Sequence, residues 1–101
     1  MKKVIRDGKV GVVISPGWGI GFHTLGVPDE LVFSPDLIEL IEANNMQGVH
    51  DYIQANYPEV KDYGINSLQV AWIPEGTKFV IEEYDGAEYI MAEHDFEWFV
   101  A

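Results

Sequence analysis

"SPDLIELIEANNMQGVHDYIQANYP", Ser34 to Pro58, carries apolar residues at helical spacing in a chain otherwise patterned for strands. Ser34-Pro35-Asp36 reads as a helix start. Ser34 caps free backbone N–H groups, Pro35 suits the first helical position, and Asp36 favours the positive end of the dipole. Leu37, Ile38, Leu40 and Ile41 then form one apolar stripe. Asn44-Asn45 ends this helix. A second is expected from near Met46, burying Val49, Tyr52 and Ile53 and stopping before Pro58, because proline pushes its predecessor out of helical geometry. The stretch is therefore a helical hairpin, and what surrounds it decides the fold class.

Outward from the hairpin the pattern changes to strands. Upstream, "KKVIRDGKVGVVIS" reads as a β-hairpin about Asp7-Gly8, whose second arm, Val10 to Ile14, is β-branched and expected to be buried. Val27 to Glu30 reads as a turn, followed by a short apolar run, Leu31 to Phe33. Downstream, Pro58 to Ser67 reads as a loop, Leu68 to Ile73 as a strand, and Pro74-Glu75-Gly76 as a turn. Thr77 to Tyr84 and Ala87 to Ala92 form a second hairpin about Asp85-Gly86. The alternation of Phe96, Trp98 and Val100 predicts an edge strand at the end. Strands, then helices, then strands predict one α+β domain over residues 1–101: a small antiparallel β-sheet built from N- and C-terminal strands with one helical hairpin.

With 101 residues, 48% of them hydrophobic, the chain suffices for one core and is not a disordered acidic tail. No apolar run reaches the roughly 18 residues of a membrane span. Arg6 and Asp7 interrupt the N-terminal apolar residues too early for a signal peptide. With no cysteine, thiolate catalysis, disulfides and cysteine zinc sites are excluded, and the cytoplasm is the expected compartment. The net charge is −11. Lys2, Lys3, Arg6 and Lys9 against Asp7 make the first nine residues +3, which leaves −14 for the rest. Direct binding to nucleic acid or to an anionic membrane is disfavoured.

"ISPGWGIGFHTLG", Ile14 to Gly26, holds four of the ten glycines. If Pro16 to Phe22 is extended, Gly17, Gly19 and Gly21 face one way, and Trp18, Ile20 and Phe22 the other. Three readings compete: a bulged strand with its aromatics in the core, a small-ligand pocket with Trp18 or Phe22 as a stacking plate, and a protein interface anchored by Trp18. A dinucleotide fingerprint is set aside, since His23-Thr24-Leu25-Gly26-Val27-Pro28 is a poor helix start. His23, His50 and His94 lack the spacing of a helical metal site, and neither His50-Asp51 nor His94-Asp95 is a ready base–orienter pair. His23 is the one beside the glycines, placed to hydrogen-bond a ligand or act as a base. Glu83 and Glu88 approach across the second hairpin, where a hard cation is conceivable but a solvated acidic face is the expectation. No catalytic residue, metal site or cofactor is assigned.

"VIRDGKVGVVISPGWGIGFHT", "LVFSPDLIELIE" and "WIPEGTKFVIEEYDG" together resemble a family of small acidic proteins of bacteriophages, prophages and other mobile elements. That pattern often has a tryptophan after the glycines, where this chain has His23-Thr24-Leu25. The resemblance implies a non-enzymatic accessory protein in a bacterial host's cytoplasm. The expected site is Arg6, Pro16, Gly17, Trp18, Gly19, Gly21, Phe22, His23 and Thr24, binding a small nucleotide used as a defence signal. The alternatives are an acidic DNA mimic or protein-binding inhibitor of a host enzyme, and a structural homo-oligomer.

Overall fold

Asp7 and Gly8 both take positive φ, 49° and 74°, which is the geometry of a two-residue turn that follows the twist of its strands. The turn folds β1 (Ile5–Arg6) onto β2 (Lys9–Ile14), pairing Ile5 with Val10. On the other side β2 pairs antiparallel with β3 (Gln69–Pro74), from Lys9 opposite Pro74 to Ile14 opposite Gln69. A second two-residue turn, Asp85-Gly86 with φ of 51° and 81°, joins β4 (Phe79–Tyr84) to β5 (Ala87–Ala92). The computed structural model describes residues 1–17, 21–60 and 67–93. The predicted edge strand at Phe96 to Val100 and the middle of the predicted 58–67 loop lie outside them.

The domain is α+β, with antiparallel strands from both ends of the chain, divided into two sheets of three and two strands. They separate at Pro74. Thr77 N–H closes a turn on Pro74 O at 3.1 Å, Gly76 takes φ 85°, and Glu75 N–H ties that turn to Gly8 O at 2.8 Å.

The helices form as expected. Ser34 Oγ accepts from Leu37 N at 3.2 Å and opens α2 (Pro35–Glu42). Asn44 turns the chain with φ 55°, and Asn45 Oδ1 accepts from Gly48 N to cap α3 (Met46–Asn56). Val49 and Ile53 are buried, and Tyr52 is half-buried.

Packing follows from β2. Val12 and Val13 point to opposite faces, and both are fully buried. Val13 joins Leu37, Ile38, Val49 and Ile53 under the helices. Val12 joins Ile73 and Val32, with Phe79, Ile81 and Ile90 of the second hairpin packed against them. The three-stranded sheet is thus the middle layer, between helices and hairpin. Gly11 permits this: a Cβ there would lie 3.0 Å from Ile38 Cδ1 and 3.1 Å from Trp72 Cζ3.

One region departs from expectation. The segment read as a turn and apolar run is a one-turn helix, α1 (Asp29–Val32). Its neighbours Leu31 and Val32 are buried in the two different cores. Just before it, His23–Leu25 forms a 3₁₀ turn, with Gly26 N–H bonded to His23 O at 2.9 Å. Among the described residues no helix is long and apolar enough to cross a membrane.

Candidate functional site

On β5, Ile90 and Ala92 face inward by strand alternation, and so does Glu88. A carboxylate at an inward position must be paired. Glu88 is 2% exposed, and its oxygens accept four hydrogen bonds from the glycine-rich segment and its exit. Ser15 N–H donates to Oε1 at 2.9 Å. Phe22 N–H donates to Oε2 at 3.0 Å, and Thr24 N–H and Thr24 Oγ1 each donate to Oε2 at 2.8 Å. Glu88 N–H donates in turn to Ser15 O at 2.9 Å. Chain leaving a sheet carries backbone N–H groups with no ladder partner. One buried side chain supplies their acceptors here, in charge-assisted bonds.

The sequence placed Glu83 opposite Glu88, and the register has them as partners. The solvated acidic face expected there holds at Glu82, Glu83, Asp85 and Glu93, which are exposed, and is corrected at Glu88, which is buried and turned to backbone donors. Glu83 Oε2 accepts from Gly86 N at 2.6 Å.

The expected site residues separate into groups. Pro16 and Gly17 are half-buried, and Trp18 and Gly19 lie outside the described residues. Gly21 takes φ 134°, and a Cβ there would meet Thr24 Oγ1 at 3.2 Å and Leu25 Cγ at 3.3 Å. Phe22 is 1% exposed and belongs to the helix-side core, as the structural reading of the segment expects. Thr24 is held by Glu88. His23 Nε2 lies 3.3 Å from Asp29 Oδ1, and its Nδ1 is enclosed with no partner among the described residues.

Arg6 is engaged elsewhere. Its guanidinium grips Glu42 with both nitrogens, at 2.6 and 2.7 Å, and lies over the Trp72 ring, 5.0 Å from its centroid. Hydrogen bonding to Glu42 raises the Arg6 pKa, and the same contact lowers that of Glu42. Glu42 thus occupies both terminal nitrogens of Arg6 and neutralises its charge.

Beside the fastened segment is a cleft of about 390 Å³, within the range of small-molecule sites. Gly21, Phe22, Leu25, Gly26, Val27 and Pro28 form one wall, and Glu59 and Val60 the other. Tyr57 Oη donates to Glu30 Oε2 at 2.9 Å, tying the chain next to Glu59 to the chain next to Pro28. That bond also raises the Tyr57 pKa. The lining is mainly apolar with one carboxylate. Among the described residues this lining suits a flat ring bearing N–H donors. Sequence reading stopped at Thr24 and so missed Leu25, Val27 and the distant Glu59 and Val60. No group of three or more metal-ligating side chains occurs among the described residues.

No family model, curated protein or solved structure matches this chain.

Proposed function

We propose that this protein is a non-enzymatic binding protein that holds a small ligand in the cleft beside Gly21 to Val27. The observation that carries the reading is the cleft itself, whose wall is fastened from within by Glu88. A site held this way is ordered before its ligand arrives, so less ordering entropy opposes binding. The chemistry of the walls favours the base of a nucleotide. Leu25, Val27 and Val60 cover ring faces, and Glu59 accepts from amino or imino edges. The phosphates of such a ligand point out of the cleft, away from Glu59.

The resemblance of "SPGWGIG" and "PEGTKFVIEEYDG" to proteins of phages and mobile elements supplies the setting. There, a non-catalytic nucleotide binder in the host cytoplasm sequesters a defence signal. Homo-oligomerisation belongs to the same proposal.

Native mass spectrometry of the protein from defence-expressing cells, followed by titration with cyclic dinucleotides, ADP-ribose and mononucleotides, tests it. The expected result is a retained nucleotide-sized mass that is lost in Leu25→Asp. Leu25 is exposed, so its replacement leaves the core intact. A clean mass together with silence across the panel would remove the nucleotide reading.

A further inference from the structure

β4 is an edge strand. Among the described residues its one ladder is with β5, and the bond from Glu93 N–H to Lys78 O fixes which of its residues face that partner. By the alternation of antiparallel pairing, Val80 and Glu82 point their backbone groups at β5, and Phe79 and Ile81 point theirs away. Among the described residues the outward N–H and C=O groups of Phe79 and Ile81 meet no strand. An open edge of this kind is a template for another strand.

The edge has a groove beside it. A space of about 400 Å³ runs between Phe79, Val80 and Ile81 on one side and His23, Asp29 and Phe33 on the other. Phe33 and Phe79 meet edge to face across it, with centroids 6.5 Å apart. Backbone groups on the rim and an apolar trough below are what strand addition needs: ladder bonds for affinity, and a pocket for alternate side chains.

Charge selects the occupant. Glu82, Glu83, Asp85 and Glu93 are all exposed on the hairpin and its exit, and Asp29 stands exposed at the groove, against Lys78 on that hairpin and Lys3, whose Nζ lies 4.8 Å over the Phe33 ring. A second copy would bring the same acids against these, in a chain whose net charge is already −11. We infer that β4 receives an extended segment of a partner protein in which apolar residues alternate with lysine or arginine. The apolar residues enter the groove, and the basic ones face the acids of the hairpin. This surface is separate from the cleft of the proposed function and stands without it.

Hydrogen exchange read residue by residue tests this with a capped peptide of about ten residues alternating valine and lysine. A second peptide of identical sequence carries N-methyl groups on alternate residues, so it keeps the charge but cannot complete a ladder. The expected result is that the first peptide slows exchange of the Phe79 and Ile81 amides at least about tenfold, and the second does not. Equal binding of both peptides with those amides unprotected would overturn the proposal, leaving only attraction to an acidic surface. No binding of the first peptide would overturn it too. Protection of both amides in the protein alone, with a dimer in sedimentation, would assign the edge to a second copy instead.

Discussion

Ser15 and Glu88 bind each other twice: Ser15 N–H donates to the Glu88 carboxylate and Glu88 N–H donates to Ser15 O, both at 2.9 Å. One bond is side chain to backbone, and the other is backbone to backbone. Together they fix where the chain leaves β2, and the second carboxylate oxygen holds Phe22 and Thr24.

This pairing makes Glu88 the most sensitive polar position described. Glu88→Gln keeps the size but turns an N–H₂ group toward at least one buried donor. The expected loss is about 2–4 kcal/mol, since breaking a buried, charge-assisted set leaves N–H groups unsatisfied. Urea unfolding measures it. Glu83→Gln, whose carboxylate is exposed, is the control and should change little.

Gly21→Ala forces a side chain into a backbone conformation at φ 134° and against Thr24 and Leu25. A cost of about 1–3 kcal/mol is expected. The cleft wall should move with it, so any nucleotide affinity falls by more than stability alone explains. Thermal melts and titration on the same sample separate the two effects.

Ser34→Ala removes the acceptor for Leu37 N–H and should cost about 1 kcal/mol. Ser34→Asp restores it. Denaturant midpoints of the three proteins check the order.

The Arg6–Glu42 pair predicts a pH dependence of defined sign. Glu42 has a lowered pKa in the folded protein, first through its hydrogen bonds to Arg6. Its contribution is therefore present above the ordinary carboxylate value and lost as pH falls through the lower folded value. Arg6 stays charged throughout that range. Wild type and Arg6→Ala should differ in stability near neutral pH and converge in acid, with the difference reduced by salt because the pair is exposed. A difference that persists unchanged into strong acid would place the effect in the Trp72 contact instead.

Much of this fold was legible because local signals agreed with it. Asp7-Gly8, Asp85-Gly86, Ser34-Pro35 and Asn44-Asn45 each dictate their own backbone geometry, so turns and caps fell where the sequence placed them. The division into two sheets was not legible. It depends on how far the Pro74 turn carries the chain, and on which layer Ile81 and Ile90 cover. α1 was hidden because four residues hold no helical period. For the site, the glycine segment was marked by composition, and its Phe22 is core. Glu88 did leave a signal. With the turn fixed at Asp85-Gly86, alternation puts Glu88 on the same face as Ile90, where an acid requires a partner. The cleft's second wall left none, because Glu59 and Val60 reach it only through the docking of α3.

On the proposed function, the cleft between Gly21–Pro28 and Glu59–Val60 is a ligand site whose wall Glu88 holds in place. Amide chemical shifts recorded during titration with a cyclic dinucleotide and with ADP-ribose test it most directly. Saturable shifts are expected at Gly21, Leu25, Gly26 and Val60 for at least one nucleotide, abolished in Leu25→Asp and unaffected by Arg6→Ala. Saturable shifts centred on Arg6 and Lys9, with the cleft silent, would contradict it.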